Sequence, residues 1–271
     1  GLSVKKDISL KNRRVLVTGG LGFIGWNLTK KLLDDGYCVT VVDVAIVKSS
    51  KIDEKYFQNM SLTVVRGDIL DSKLCCELVS KVDGVFHLAA RNSVSESLKY
   101  PDEYLKDNVI GTLNLLEACR KIGVNFFVFS SSCAVYGEQK VIPISENADL
   151  NPKSPYAVGK KISEDLCKLY NDIYLVPTVS LRYFNVFGPG QSDESEYSGV
   201  IAKFIKKIKK GEELIVYGDG NQTRDFVYVD NVVYANINAS LKIEDASGSI
   251  INVGTGESIS ICSLIDKQQQ A

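Results

Sequence analysis

The chain has 271 residues, which is enough for one large domain or for one domain with a smaller lobe. With 45% hydrophobic and 24% charged residues, its balance is that of an ordinary soluble globular protein. The formal net charge of −1 gives no broad basic field, so we expect neither a nucleic acid nor a membrane surface as a partner.

Short apolar runs rich in β-branched residues alternate with amphipathic stretches over the first two thirds of the chain. We predict strands at residues 14–18, 37–43, 62–66, 84–90, 126–130 and 178–184. We predict helices at residues 23–35, 72–81, 101–123 and 155–170, with Gly36 closing the first. This order is typical of βαβ units, so the expected fold class is α/β with a doubly wound parallel sheet.

The pattern changes after residue 184. Glycine and polar residues cluster at 188–196, and short strand-like runs follow at 214–217, 226–229 and 250–253, separated by helices. We therefore expect a first domain at residues 1–184 and a smaller substrate-binding lobe at residues 185–271, interleaved with the first.

A glycine-rich motif lies between the first strand and the first helix. It reads G-x-G-x-x-G at Gly20, Gly22 and Gly25, and G-x-x-G-x-x-G when counted from Gly19. Such glycines let backbone N–H groups approach a pyrophosphate at a helix N-terminus. Asp43 ends the next strand, where a carboxylate binds an adenosine ribose and repels a 2′-phosphate, which favours NAD over NADP. The alternative is a flexible glycine turn with a surface aspartate.

A second motif pairs Tyr156 with Lys160 near the start of a predicted helix. The four-residue spacing places phenol and ammonium on one helical face, where the lysine favours the phenolate and makes the tyrosine usable as a general base. Three serines at 130–132 end the fifth strand at the sheet edge that binds ligands, and a hydroxyl there can relay a proton. For Ser130 and Ser131 we favour the simpler interpretation that they begin a turn.

The cysteine and histidine content argues against a metal site. Seven cysteines form no C-x-x-C pair, and the single histidine, His87, lies inside a predicted strand, where we expect it to be packed rather than catalytic. Reduced thiols fit a cytoplasmic protein. Residues 1–11 are polar and charged rather than like a signal peptide, and no apolar run is long enough to span a bilayer.

Taken in order, these motifs resemble those of the extended short-chain dehydrogenase/reductase superfamily. The resemblance also rests on Gly67-Asp68, on residues 87–90 and 182–185, on Asn108 and on the segment 218–230. Within the superfamily the chain is similar to the NAD-dependent epimerase/dehydratase family, and most of all to its UDP-galactose (UDP-glucose) 4-epimerases. The resemblance implies a Rossmann domain that binds NAD.

Functional residues follow from the resemblance by matched position. It implies Ser132, Tyr156 and Lys160 as the catalytic residues. Further contacts to the cofactor are implied for Gly19, Gly22, Phe23, Ile24, Gly25, Asp43, Asp68, Ile69, Leu88, Ala89, Ala90, Asn108 and Tyr183, in addition to Tyr156 and Lys160. Contacts to the substrate are implied for Ser132, Asn185, Val200, Tyr217 and Arg224, the last gripping the nucleotide diphosphate.

The reaction that the resemblance implies is NAD-dependent 4-epimerisation of a UDP-sugar. Related dehydratases and decarboxylases carry acidic side chains directly after the catalytic hydroxyl, where this chain has Cys133 and Ala134. These two reactions, a reductase and a non-catalytic NAD-binding protein remain the alternatives. The resemblance also implies a homodimer through helices near 101–122 and 155–170. It further implies that the chain is shortened at its C-terminal end, so the choice between plain and N-acetylated sugars is not readable.

Overall fold

A seven-stranded parallel sheet forms the centre of the computed structural model, which describes residues 13–45, 53–139, 143–191, 210, 223–255 and 259–260. Its strands are β1 (Arg14–Thr18), β2 (Cys38–Asp43), β3 (Leu62–Arg66), β4 (Gly84–His87), β5 (Phe126–Ser132), β6 (Thr178–Tyr183) and β10 (Ile250–Val253). They pair in the order β3-β2-β1-β4-β5-β6-β10. The strand order reverses between β1 and β4, where the two carboxyl ends leave a crevice for a ligand.

Helices cover both faces of this sheet. They are α1 (Phe23–Asp34), α2 (Glu54–Phe57), α3 (Ser72–Val79), α4 (Val94–Lys99), α5 (Pro101–Leu105), α6 (Gly111–Ile122), α7 (Pro155–Tyr174), α8 (Val229–Leu241) and α9 (Ile243–Ala246). One buried cluster joins α1 and α8 to the sheet, and a second joins α3, α6 and α7 to the sheet. The doubly wound α/β prediction is therefore confirmed.

The strand predictions are confirmed with shifted ends. Strand β4 stops at His87 rather than at residue 90. Leu88 N still reaches the Thr18 carbonyl at the end of β1, but Ala89 N donates to the Thr18 hydroxyl, so the ladder of backbone hydrogen bonds ends there. Strand β5 runs on to Ser132, so the prediction that Ser130 and Ser131 begin a turn is wrong.

The helix predictions are confirmed, with one helix divided and the ends of the others shifted. The predicted helix at 101–123 is divided, since a π-helical turn at Lys106–Ile110 separates α5 from α6. Helix α7 continues to Tyr174 instead of ending at residue 170. Gly36 closes α1 with φ of +84°, a backbone conformation that favours glycine. Helices α2 and α4 were not predicted.

The last third of the chain contributes to more than one sheet. Strands β7 (Asn185–Phe187) and β9 (Phe226–Tyr228) form a parallel pair, and β8 (Thr223–Arg224) pairs with β11 (Ile259–Ser260) in antiparallel orientation. Strand β10 instead joins the edge of the central sheet beside β6. The predicted strand at 214–217, with Val200 and Tyr217, lies outside the described residues.

Within the part of the chain that the structure describes, no helix combines the length and the apolar character needed to cross a membrane.

Candidate active site

A cleft of about 1400 Å³ opens along the carboxyl edge of the central sheet. A volume of this size exceeds what a single small ligand needs, so it can hold a dinucleotide and a second ligand together. Its wall contains the predicted residues Gly19, Gly22, Phe23, Ile24, Gly25, Leu88, Ser132, Tyr156, Lys160, Tyr183 and Asn185.

The glycine-rich turn forms one end of the cleft. Gly19 has φ of +67°, and a Cβ there would lie 2.8 Å from the Cα of Ala89. At Gly25 a Cβ would lie 2.1 Å from the Gly19 carbonyl oxygen, so any side chain would open the turn. Gly22 is the N-cap of α1 and brings no side chain that could occupy the helix N-terminus. The turn therefore leaves backbone N–H groups for an anion, as a dinucleotide pyrophosphate requires.

Asp43 lies beside this turn at the end of β2. Its Oδ2 accepts a hydrogen bond from Leu21 N at 3.0 Å, and its Oδ1 accepts one from Ala45 N at 3.0 Å. Gly67 N donates to the Asp43 carbonyl, which brings Asp68 and Ile69 to the same edge of the sheet. These three predicted residues do not line the cleft itself, but they extend the edge from which the glycine turn rises.

The end of β5 and the start of α7 bring the three predicted catalytic residues into one wall of the cleft. Ser154 caps α7 by accepting a hydrogen bond from Ala157 N, and Pro155 occupies the first turn. Tyr156 N donates to Ser97 Oγ of α4 at 3.2 Å, which holds the tyrosine backbone from a second element. Ser132 Oγ accepts from Ala134 N and thereby begins the 3₁₀ turn Cys133–Tyr136.

Lys160 is buried beneath this wall. Its Nζ donates to the Ser130 carbonyl at 2.8 Å and lies 5.8 Å from the centre of the Tyr156 ring. Burial lowers the pKa of Lys160 to about 8, and the negative charge of Glu164 opposes part of that shift. The ammonium is thus held at a fixed place next to the phenol by a strand carbonyl.

Ser130 and Ser131 are buried behind Ser132 and contact opposite sides of the sheet. Ser130 Oγ lies 2.6 Å from the Tyr183 hydroxyl, which also accepts a hydrogen bond from Asn236 of α8. Ser131 donates to Glu164 of α7 at 2.6 Å. Burial raises the pKa of Tyr183 to about 12, so this phenol stays protonated. Both serines fix the strand that carries Ser132.

His87 joins β1 to helix α6 through a series of hydrogen bonds. Thr18 Oγ1 accepts from Leu88 N and Ala89 N, so its own proton faces His87 Nδ1 at 2.7 Å. His87 Nε2 then carries the ring proton and donates to Thr112 Oγ1 at 2.8 Å. Burial lowers the pKa of His87 to about 3, helped by the charge of Lys160. The expectation of a packed histidine is confirmed.

Behind the cleft wall lie three further predicted residues, Ala89, Ala90 and Asn108. Asn108 sits in the π-helical turn, where its amide accepts from Arg91 N at 2.9 Å and donates to the Arg91 carbonyl at 3.1 Å. Thr112 donates to the Asn108 carbonyl at 2.7 Å. Asn108 therefore fixes the backbone that follows Leu88, Ala89 and Ala90. A π-turn at such a position is a frequent feature of functional sites.

Of the predicted substrate residues, some lie in the cleft wall and others lie outside the described residues. Asn185 lies in the cleft wall, and its amide donates to the Asp225 carbonyl at 3.0 Å, which ties β7 to β9. Arg224 is placed by its backbone alone, in β8 opposite Ile259. Val200 and Tyr217 lie outside the described residues.

Several residues of the site were missed by the sequence analysis. Thr18, Ser97, Thr112, Glu164 and Asn236 all support residues of the cleft wall. Only α4 had a local signal, because Ser93 followed by Glu96 is a helix-capping pattern, and Ser93 Oγ indeed accepts from Glu96 N at 3.1 Å.

Comparisons with known proteins agree with this geometry. The model of the NAD dependent epimerase/dehydratase family matches residues 15–254. A putative UDP-glucose 4-epimerase of Methanocaldococcus jannaschii is 41% identical over 93% of this chain and 80% of its own length. A UDP-N-acetyl-α-D-glucosaminuronate decarboxylase of Bacillus cytotoxicus is 38% identical over 92% and 77%. The crystal structure of a UDP-glucose 4-epimerase with UDP-glucose from Thermotoga maritima aligns with a TM-score of 0.85 at 37% identity, covering 95% of this chain and 82% of that one.

Proposed function

The chain belongs to the NAD-dependent epimerase/dehydratase family, and on that basis we propose that it interconverts the two C4 epimers of a UDP-sugar. The substrate pair is UDP-glucose and UDP-galactose, or their N-acetylated forms, and the reaction passes through a transient 4-keto sugar. NAD is the cofactor.

One observation carries the proposal. Ser132, Tyr156 and Lys160 line a single cleft that also contains the glycine turn, and the two residues after Ser132 are Cys133 and Ala134. Elimination of water from C5 and C6 needs an acid and a carboxylate at those positions, in the manner of the family's dehydratases. Epimerisation needs only one base and a hydride acceptor.

The residues of the chain fit the cofactor. The glycine turn accepts a pyrophosphate because side chains are absent from Gly19, Gly22 and Gly25, and Asp43 offers a carboxylate for the adenosine ribose. When bound, NAD supplies hydride acceptance at C4 and hydride return to the opposite face.

The protein supplies position and proton transfer. Tyr156 removes the proton of the sugar 4-hydroxyl, Ser132 relays it, and the Lys160 ammonium beside the phenol ring favours the phenolate. Arg224 holds the diphosphate while the 4-keto sugar turns about that anchor and presents its other face. The proton then returns from Tyr156 to the new 4-hydroxyl, and the base is restored for another turnover.

A decarboxylase is the second candidate, because a relative with that activity is 38% identical to this chain. That reaction shares oxidation at C4 with the epimerase and differs in losing CO₂ from a uronic acid. The epimerase is preferred, since Ala134 occupies the position at which the family's decarboxylases carry a glutamate.

The experiment is a coupled assay of the purified protein with NAD on four substrates. UDP-galactose and UDP-N-acetylgalactosamine test epimerisation, and the two matching UDP-uronic acids test decarboxylation. We expect turnover of at least one neutral sugar and a loss of about 10³-fold in kcat for Tyr156→Phe, which keeps the ring and removes only the titrating hydroxyl. Release of CO₂ from a uronic acid without epimerisation of the neutral sugars would replace this proposal by the decarboxylase.

A homodimer is the assembly that we propose. Ile162, Leu169 and Ile173 lie 38%, 43% and 61% exposed along one side of α7, and Ile110 is exposed on the neighbouring helical segment. We expect twice the mass of one chain in sedimentation at micromolar concentration and a shift toward one chain for Leu169→Glu. Leu241→Glu is the control, because Leu241 is the same residue type and is more exposed, at 67%, but lies on α8. Sedimentation of the unaltered protein as one chain would overturn the dimer.

Two expectations remain predictions. The division at residue 184 into a cofactor domain and an interleaved substrate lobe awaits a structure with substrate bound. A cytosolic location is predicted from reduced thiols, and none of the six cysteines among the described residues is in a disulfide.

A further inference from the structure

A buried ion pair lies directly behind the catalytic strand. Arg182 of β6 donates from Nε to Glu164 Oε1 at 2.8 Å and from Nη2 to Glu164 Oε2 at 2.7 Å, a two-point contact between a guanidinium and a carboxylate. The side chains of Arg182 and Glu164 are 2% and 1% exposed. Although burial opposes the charged form, the hydrogen bonds to Glu164 and Tyr136 raise the pKa of Arg182. Burying such a pair is costly unless every polar atom is satisfied, so its position calls for a reason beyond stability.

This pair connects the elements that carry the active site. Glu164 Oε1 also accepts from Ser131, the residue before Ser132, and Arg182 Nη1 donates to the Tyr136 hydroxyl at 2.9 Å. Tyr136 ends the 3₁₀ turn that begins at Ser132, and its hydroxyl donates to Asn252 of β10 at 2.6 Å. The pair thus holds both ends of the segment that presents the catalytic serine.

The same carboxylate also acts on the buried lysine through its charge. Glu164 follows Lys160 by one helical turn on α7, and its charge is the main influence opposing the loss of the lysine proton. The other groups facing Lys160 are Cys167 on α7, the Tyr156 ring at 5.8 Å, and His87 on β4, which is neutral because its pKa is lowered to about 3. On β5, the Lys160 ammonium contacts the Ser130 carbonyl and the Phe129 ring.

We propose that Glu164, clamped by Arg182, is a positioning residue of the active site. It sets the spacing between Ser132 and the Tyr156–Lys160 helix, and its negative charge stabilises the buried ammonium of Lys160. The role rests on the proposed catalytic use of Lys160, and Glu164 itself contacts neither substrate nor cofactor.

The first test compares two neutralised carboxylates on the same helix. Glu164→Gln keeps the shape and removes the charge, and we expect kcat to fall about 10- to 100-fold with KM for the UDP-sugar within about threefold. The alkaline limb of the kcat–pH profile is expected to move about one unit toward lower pH, because Lys160 then loses its proton more easily. Asp165→Asn is the matched control. Asp165 is the next residue, 67% exposed and paired with Lys161 at 2.9 Å, so neither kcat nor the profile should change.

A second variant removes the risk that a lone buried arginine merely unfolds the protein. Glu164→Met with Arg182→Met replaces the whole pair by apolar side chains, a change that often leaves stability intact. We expect this double variant to fold and still to show the lowered kcat and the displaced alkaline limb. Recovery of the unaltered kcat and profile would overturn the proposal, since the pair would then serve stability alone.

A measurement without turnover separates this proposal from the epimerase proposal. Heteronuclear NMR of the lysine ammonium groups, with Lys160→Met to assign the signal, follows the titration of Lys160 directly. A lower titration midpoint in Glu164→Gln, with none in Asp165→Asn, supports the proposal even if no UDP-sugar is converted. An unmoved midpoint overturns it even if the protein proves to be an active epimerase.

Discussion

The glycine turn after β1 and the end of β5 face the same cleft but are built in opposite ways. The turn can fold tightly because side chains are absent: Gly19 has φ of +67°, and Gly25 packs against the Gly19 carbonyl. The end of β5, in contrast, is held in place by side chains. Ser130 and Ser131 are buried there, and each engages a partner on a different element of the fold.

The difference lies in how far away the determinants are. The contact that excludes a side chain at Gly25 is with Gly19, six positions away, so residue type and spacing express it, although Gly19 also packs against the distant Ala89. The partners of Ser130 and Ser131 lie 53 and 33 residues away. A substitution in the turn therefore acts through steric overlap, whereas a substitution behind β5 acts by leaving a buried polar group unpaired.

The largest effect is expected from Gly25→Ala. The added Cβ would lie 2.1 Å from the Gly19 carbonyl oxygen, so the turn must open. We expect the free energy of unfolding to fall by more than about 3 kcal/mol and copurified NAD to be lost, measured by urea unfolding and by cofactor content.

Gly159→Ala is the matched control for that change. Gly159 is also helical, but its nearest neighbour to a new Cβ is Leu105 Cδ2 at 3.7 Å, an ordinary contact. Alanine should stabilise α7 by about 0.5 to 1 kcal/mol, since it has the higher helix propensity. If Gly25→Ala and Gly159→Ala changed the free energy of unfolding equally, steric overlap would not be what requires glycine in the turn.

The next effect separates Ser132 from the two serines behind it. Ser132→Ala should lower kcat about 100-fold with little change in KM, because Ser132 lines the cleft together with Tyr156 and its hydroxyl is the proposed proton relay. Stability should fall by no more than about 1 kcal/mol, the cost of losing the hydrogen bond from Ala134 N. An unchanged kcat in the coupled assay would remove Ser132 from the proposed proton relay.

Much of the fold and the local motifs could be predicted from the sequence. The succession of strands and helices follows from the alternation of apolar and amphipathic runs, and the glycine turn, Asp43 and the Tyr156–Lys160 spacing are patterns that residue type expresses. Helix α4 could also have been found, since Ser93 and Glu96 form a capping pattern at its start.

The supporting contacts could not be predicted, because they join distant parts of the chain. Serines commonly begin turns, but burial and the partners Tyr183 and Glu164 keep Ser130 and Ser131 in β5. The contact between Glu164 and Arg182 crosses from helix to strand, and that between Thr18 and His87 spans 69 residues. No spacing rule relates such pairs before the fold is known.

His87 lies between the two regions and offers a pH test of their connection. Its folded pKa is lowered to about 3, below the value of about 6.5 for an unfolded histidine. The unfolded chain therefore binds one more proton between these values, and stability is full above pH 6.5 and is lost as the pH falls. His87 is the chain's single histidine, so urea unfolding from pH 7.5 to 5 should lose about 1.4 kcal/mol per unit below pH 6.5.

His87→Asn provides the control for that slope. The variant is less stable at every pH, but its stability should be nearly flat over the same range because no imidazole remains to titrate. If stability fell with pH as steeply as in the unaltered protein, another group would be titrating. The hydrogen bonds from Thr18 through His87 to Thr112 would then not account for the pH dependence.

The smallest effect is expected from Ser130→Ala. It removes the hydroxyl 2.6 Å from the Tyr183 hydroxyl but leaves the Ser130 carbonyl, and with it the hydrogen bond from Lys160. We expect a loss of about 1 kcal/mol in the free energy of unfolding with kcat within twofold. Ser80→Ala, which removes an exposed hydroxyl bound to the Glu77 carbonyl, should cost about half as much or less. A Ser130→Ala protein with unchanged stability and a kcat as low as that of Ser132→Ala would show that Ser130 takes part in the chemistry. The reacting hydroxyl of β5 could then not be assigned to Ser132 alone.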